Sequence, residues 1–481
     1  MKPGNQAAHL ASIALTLLAA AGFCTGAAAQ TLTTLYSFTG SPDGARPSAG
    51  LTVDAAGNFY GTTQSGGASG CGPFGCGTVF KLTPSGSGAY SETVIYRFAS
   101  GSDGANPYAG LIADAPGNLY GTTLTGGGGT CLGVSGCGTV FKLTPNGSGA
   151  YGESVLYAFP SFDSTDGAVP WGGLISDATG SLYGTTGEGS FCPSTCGTVI
   201  KLTPNGNGTY GHSVLYRFAG ASDGANPNAG VVSDSMGNLY GTTFYGGGGG
   251  SCVGGFTANG GCGTVYKLTP NGNGTYTETV LYGFTGGSDG ANPFAGLISD
   301  AMGNLYGTTQ YGGGGSCFGG HGCGTVFRLT PNGNGTYTEA VLYRFTGGAD
   351  GSNPPAGLIS DAMGNLYGTT QYGGGSSNCI GGFGCGTVFK LTPIGSGTYA
   401  ETVLYRFTGG TDGSGPLASL FADGMGNLYG TTAQQNGPGS GTGTVFKLSL
   451  SQSVSCDHDD DDHHDHDRGH HEDGDHDRKD R

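Results

Sequence analysis

Tyr-Gly-Thr-Thr occurs seven times in this chain, at Tyr60, Tyr120, Tyr183, Tyr240, Tyr306, Tyr367 and Tyr429, with steps of 57 to 66 residues. A period of this length means that one supersecondary unit is repeated, and that neighbouring units bury a core none could form alone. Each copy holds four short runs rich in Val, Leu, Tyr, Phe and Thr. In the fifth copy they span 295–300, 304–309, 324–331 and 339–345. Gly, Pro, Asn or Asp bounds each run, which is how strands read. No stretch of the body carries a 3.6-residue period long enough for a helix. Gly 104 and Pro 21 make up about a quarter of the 481 residues. Without a period that proportion would indicate disorder, and the repetition overrides it.

Four strands per unit fit a propeller blade. The body opens with "TLYSF" (34–38), which matches the fourth run, and its repeats end with "GTVFKLSL" (443–450), which matches the third. The expected fold is therefore all-β: a seven-bladed β-propeller, four strands per blade, closed by the N-terminal strand joining the last blade. Closure removes an exposed sheet edge.

Residues 1–29 read as a signal peptide, with Lys2, an apolar run and an Ala27-Ala28-Ala29 cleavage site. Phe23 before Cys24 argues against lipid attachment. The apolar run is too short and too Ala-rich for a membrane span, and no other segment offers a transmembrane stretch. Residues 30–450 form the propeller and 451–481 an Asp/His-rich tail, expected to be disordered. Net charge is −16, and the tail from 457 onward carries half of it. A chain this acidic excludes nucleic acid as a partner.

Six cysteine pairs bracket the loop between the second and third strands of successive units: Cys71/Cys76, Cys131/Cys137, Cys192/Cys196, Cys252/Cys262, Cys317/Cys323 and Cys379/Cys385. In an exported chain they read as local disulfides. Each would stabilise by about 2–3 kcal/mol. Zinc is the competing reading, but it needs four converging ligands, and pairs on separate blades stand apart. The seventh unit has no pair. Cys456 is left over and is a candidate for a disulfide-linked dimer.

"DAMGNLY" resembles the first hairpin of NHL-type propeller repeats. The whole unit, with "GNLYGTT", "GTVFKLTP" and "LYRFTGG.DG..P" in order, resembles the GloVer tandem repeat of bacterial exported proteins. The resemblance covers roughly 31–450. It implies a secreted repeat protein and carries over no catalytic residues.

In an up-and-down blade, strands A to D run from the axis outward. The short A–B and C–D turns share one face. The variable B–C loops and the D–A links share the other, where function usually sits. Asp43, Asp103, Asp166, Asp223, Asp289, Asp350 and Asp412 recur in the D–A links. They would either ring the channel mouth and hold Ca²⁺, or bond their own backbone as turn formers. Asp54, Asp114, Asp177, Asp234, Asp300, Asp361 and Asp423 cap the A–B turns. The recurring Lys81, Lys142, Lys201, Lys267, Arg328, Lys390 and Lys447, with Arg97, Arg217, Arg344 and Arg406, read as cross-strand partners.

What breaks the symmetry is sparse. His212 and His321 fall on opposite faces. Glu188, Phe191, Trp171, Tyr245, Tyr311 and Tyr372 fall on or near the variable face, and aromatics there stack on sugar or peptide or pack locally. Trp171, Tyr245, Tyr311, His321 and Tyr372 are the ligand-binding candidates. In the tail, His458, His463, His464, His466, His470, His471 and His476 are candidate ligands for Zn, Ni or Cu, against the reading of a solvating tail. Two functions fit: a non-enzymatic exported scaffold that binds an extracellular glycan or protein, or a secreted propeller hydrolase or lyase on an extracellular polymer. The second needs acid and base groups clustered at the channel mouth, and no such cluster is visible.

Overall fold

The computed structural model describes residues 30–450 apart from 68–70, 72–73, 132–133, 162–164, 188–195, 221, 249–251, 253–259, 377–378, 380–381, 396 and 435–441. The leader, the tail histidines and Cys456 therefore lie outside the described residues.

Seven four-stranded antiparallel sheets follow one another in chain order. In blade 5, strand A is Ile298–Ser299, strand B Leu305–Thr309, strand C Thr325–Pro331 and strand D Tyr337–Arg344. Blade 7 takes strands A to C from Phe421–Ala422, Leu428–Thr432 and Thr444–Ser449, and its strand D is Thr31–Ser37 from the other end of the chain. Thr31 pairs with Ser449 and Ser37 with Thr444. The expected propeller and its closure are both present.

The core is divided among the seams between blades. Blade 4 meets blade 5 in one cluster, where Tyr240, Val265, Leu281 and Phe284 pack on Leu297, Leu305, Phe327 and Leu329. The Phe after strand D stands edge-on against the strand C ring of the next blade, 5.1 Å from centroid to centroid for Phe284 and Phe327. Such edge-to-face pairs add to simple burial. Gly307 of Tyr-Gly-Thr-Thr lies directly under that ring. A Cβ there would stand 2.6 Å from Phe327 Cζ and 2.9 Å from Leu297.

The two threonines divide the remaining work. Thr309 Oγ1 bonds Thr325 Oγ1 of strand C in its own blade (2.9 Å). Thr308 Oγ1 donates to the Ala356 carbonyl of the next blade (3.2 Å). This second bond recurs at every seam, and the last one, Thr431 to the Ala49 carbonyl (3.1 Å), closes the ring across 382 residues.

Strand A is shorter than the six-residue run expected at 295–300. Only Ile298 and Ser299 pair with strand B. The preceding residues sit at the axis, where blades converge, and turn their polar groups sideways. The Ala295 carbonyl, for example, accepts Thr242 Oγ1 from blade 4.

Candidate functional site

Five of the expected cysteine pairs are disulfides, Cys71–Cys76, Cys131–Cys137, Cys252–Cys262, Cys317–Cys323 and Cys379–Cys385, with Cα atoms 5.0–5.3 Å apart. The sixth expected pair rests on Cys192, outside the described residues. Bonds of this kind form in oxidising compartments. The second cysteine of each pair also reaches the next blade through its backbone. The Cys323 carbonyl accepts the Asn353 N–H at 2.8 Å, and Cys76, Cys137, Cys196, Cys262 and Cys385 do the same for the links that follow them. Thr442 fills this role in blade 7, holding the Arg46 N–H at 3.0 Å, so that blade makes the seam bond without a thiol. The receiving asparagines, Asn106, Asn226, Asn292 and Asn353, have φ of 54–57°, a left-handed conformation that Asn tolerates better than most residues.

The link aspartates do not gather at the channel. Each lies beside strand D, the outermost strand, and accepts a tyrosine hydroxyl from it: Tyr343 to Asp350 at 3.1 Å, Tyr282 to Asp289 at 3.0 Å. Thr346 adds its N–H and its hydroxyl to Asp350. This is the turn-forming arrangement. Among the described residues no three His, Cys, Asp or Glu side chains converge on a point. The A–B aspartates cap their turns as expected. Asp300 accepts the N–H groups of Met302 and Asn304, the Asn304 amide and the Tyr306 hydroxyl. The strand C lysines pair across strands with tyrosine rings, each Nζ 5.1–5.8 Å from the centroid of its strand B partner, as Lys390 over Tyr367. Arg344 and Arg406 tie their blades to the preceding link carbonyls of Ser288 and Ala349.

The symmetry breaks at the axis. The residue after each link proline points into the channel mouth on the loop face: Ser48, Tyr108, Trp171, Asn228, Phe294, Pro355 and Leu417 in blade order. They line a cavity of about 140 Å³ whose other walls are small, mostly Ala and Gly. Tyr108 meets Trp171 edge-on at 5.1 Å, and burial pushes its hydroxyl up to about 12. Trp171 and Asn228 lie over Gly187, where a Cβ would come within 2.6 Å of Asn228 Oδ1 and 3.0 Å of Trp171 Cδ1. Two residues before Trp171, Val169 takes φ 55°, an unusual conformation for a β-branched residue. It is the seam conformation of Asn106 and Asn353, held here by the same bond to the Cys137 carbonyl.

Tyr245, Tyr311 and Tyr372 stand at one position on consecutive blades, where their backbones bridge Ala225, Ala291 and Ser352. Burial raises all three hydroxyls, and neighbouring hydroxyls raise Tyr245 and Tyr372 further through Tyr311. The structure thus brings these three together as an arc. Phe318 extends it, 5.6 Å from Tyr311 and 5.4 Å from Tyr372, and stacks on Phe383. His321 is exposed in the blade 5 loop. His212 stacks on Tyr157 at 4.0 Å, far out on strand D, and burial lowers its pKa. Sequence reasoning missed Tyr108, Asn228, Phe294, Phe318 and Phe383. For Tyr108, Asn228 and Phe294 the available signal was that the residue after the link proline differs in every copy of an otherwise repeated motif.

The profile of the Gloeobacter/Verrucomicrobia repeat matches residues 23–190, 130–378 and 249–467. The chain belongs to that family. No curated protein matches. Solved structures that resemble it include a protein of unknown function from Dyadobacter fermentans, 12% identical over 77% of this chain and 96% of that one, TM-score 0.40. A gluconolactonase from Xanthomonas campestris is 13% identical over 86% and 98%, TM-score 0.39. A Trichoderma reesei carbohydrate-active enzyme of family AA12 is 12% identical over 88% and 96%, TM-score 0.41. Likenesses this distant say nothing of activity.

Proposed function

We propose that this member of the Gloeobacter/Verrucomicrobia repeat family is an exported, non-enzymatic scaffold that binds a neutral glycan on its loop face, at the channel mouth. The observation that carries the reading is the chemistry of the mouth. Tyr108, Trp171 and Phe294 supply ring faces, Asn228 supplies an amide, and no charged side chain lines the cavity. Aromatic faces with a few neutral hydrogen-bonding groups suit pyranose rings, which offer apolar C–H faces and uncharged hydroxyls. The disulfides support export, and they hold Gly-rich loops that packing alone would leave loose. The runner-up, a hydrolase or lyase, requires an acid and a base at the mouth. The described lining offers neither.

Trp171 is the one tryptophan in the chain, so its fluorescence reports the mouth directly. Titration with cello-, xylo-, manno- and galacto-oligosaccharides should give a saturable change with at least one series. Trp171→Ala should weaken binding of that series about tenfold, the worth of one ring contact, with circular dichroism unchanged. No response to any series removes the proposal. Release of new reducing ends during the titration would favour the enzyme reading instead.

A further inference from the structure

Two seams on the loop face carry the same pocket. Between blades 1 and 2 a cavity of about 370 Å³ is lined by Gln64, Cys71 and Phe74 from blade 1 and Thr125 from blade 2. Between blades 6 and 7 a cavity of about 200 Å³ is lined by Gln371, Cys379 and Phe383 from blade 6 and Gln434 from blade 7. The two sets match position by position. Gln64 and Gln371 each follow Tyr-Gly-Thr-Thr, and Phe74 and Phe383 each precede Gly-Cys.

The backbone presents the two rings in one way. The Phe74 carbonyl accepts the Gly66 N–H at 2.6 Å, and the Phe383 carbonyl accepts the Gly373 N–H at 2.7 Å. Gly75 and Gly384, next in the chain, bridge Gly66 and Gly373. Both have φ in the left-handed region, and a Cβ on either would collide with the opposing glycine. The disulfide beyond them fixes the wall. Each Phe is thus pinned by its backbone while its ring stays outside the core: Phe74 is 71% exposed, and Phe383, which stacks one face on Phe318, is 54% exposed. Natural cores bury Phe, so a ring held open twice by the same local geometry calls for an explanation. Blade 5 keeps the frame with Gln310 and His321, whose carbonyl accepts the Gly312 N–H. That accounts for His321: it occupies the ring position.

We infer that these two seams are equivalent sugar subsites, each stacking one neutral pyranose on its phenylalanine and bonding its hydroxyls through its glutamine amide. The inference rests on the neutral-glycan reading of the loop face. Neither Gln64 nor Gln371 uses its side-chain amide in a hydrogen bond within the described protein, and both residues are half-buried in the walls that carry the rings. An amide next to a half-exposed aromatic ring, whose other face Phe318 covers at Phe383, with no charge on Gln371, Gln434 or Ser414, is the donor–acceptor set that sugar hydroxyls satisfy. Arg46 edges the first cavity only. Two subsites on one rigid face, with blades 7 and 1 between them, would bind a repeating or branched glycan with an avidity that neither has alone.

Calorimetry with the same oligosaccharide series, on the full chain, tests this. Native protein should bind two sugar units more than Phe74→Ser/Phe383→Ser, whose exposed side chains leave folding untouched. The Trp171 response should persist in that double variant. Gln64→Ala/Gln371→Ala should weaken the same two sites at least fivefold. Unchanged stoichiometry in the Phe variant, with the Trp171 response intact, overturns the subsites and leaves the mouth standing. Two sites retained in Trp171→Ala with no fluorescence response in the native chain would instead remove the mouth and keep the subsites. If no oligosaccharide binds any form, both proposals fall.

Discussion

On the face made by the A–B turns, seven aspartates each accept a backbone N–H and the strand B tyrosine hydroxyl, and six of them, all but Asp177, also accept an asparagine amide, from Asp54 with Asn58 and Tyr60 to Asp423 with Asn427 and Tyr429. On the opposite face the residue after the link proline runs from Ser48 through Trp171 to Leu417 without repeating. Both faces arise from the same copies of one unit. The difference separates two kinds of constraint. A turn must close every blade in one geometry, so its aspartate and tyrosine recur in all seven blades while the residue between them at the Met302 position varies. A loop residue at the axis is held by its neighbours' backbones, through seam bonds such as Asn353 N–H to the Cys323 carbonyl, and its own side chain is free to differ from blade to blade.

The largest effect should come from breaking the uniform face. Asp300→Ala removes four hydrogen bonds at once and leaves Asn304 and the Tyr306 hydroxyl without their shared acceptor. Bonds to a charged acceptor, and buried groups left unpaired, are each worth about 1–3 kcal/mol. Partial replacement by water brings the expected loss to about 3 kcal/mol, measured by urea unfolding. A loss below about 1 kcal/mol would mean the turns do not depend on their aspartates, and the contrast between the faces would lose its physical basis.

A smaller effect sharpens the contrast through pH. The turn aspartates lose some solvation, which alone would raise them, yet the bonds from Asn and Tyr outweigh this and hold them below the usual carboxyl range. Their contribution is present above the unfolded carboxyl pKa and is lost as pH falls through the lowered folded value. On the outer strands the sign reverses. Glu92, Glu153, Glu278, Glu339 and Glu401 each bury one carboxyl oxygen without a partner. Burial first, and then Asp43, Asp103, Asp223, Asp289 or Asp350 of the preceding link, raises them to about 7. The same-strand Arg97, Arg344 and Arg406 oppose this for Glu92, Glu339 and Glu401. The tyrosines facing them across the seam already donate to those aspartates. Because the folded pKa lies above 4.5, this contribution is full below about pH 4.5 and is lost as pH rises through 7. Half of each side chain remains in water, so the total is on the order of 1 kcal/mol. Stability should fall between pH 5 and pH 8, and Glu153→Gln/Glu278→Gln, the pair without an arginine, should flatten that fall. A profile unchanged by the double substitution would show that these carboxyls titrate normally.

The repeat count, ring closure and disulfide walls were legible because each is written several times over in sequence. Trp171 was legible because it is unique. Tyr108, Asn228 and Phe294 were not, since each is an ordinary residue in a single copy and becomes conspicuous only when the link prolines are brought into register. Phe74 and Phe383 lie in loops of unequal length, which hides their common place before Gly-Cys. The seam glutamates alternate with exposed residues along strand D and so look like surface, because nothing in one blade's sequence shows the next blade's aspartate lying against them.

The smallest expected effect belongs to the turn face again. Met236, Met302, Met363 and Met425 occupy one turn position on four consecutive blades, 72–79% exposed. Exposed apolar side chains gathered on one side often mark an interface, and methionine suits adaptable contacts. Each one, however, contributes to its turn only through the backbone N–H that the aspartate holds, as Met302 does for Asp300 at 2.9 Å. That bond does not depend on the side chain, so the position tolerates Ala56 in blade 1 and Thr179 in blade 3, and in blade 2 Pro116 dispenses with the bond altogether. Replacing all four with Ala should change unfolding by less than about 0.5 kcal/mol and leave the Trp171 titration unchanged. A weakened titration would place ligand on both faces and end the division of labour between them. An unchanged one confines recognition to the face where the repeats disagree.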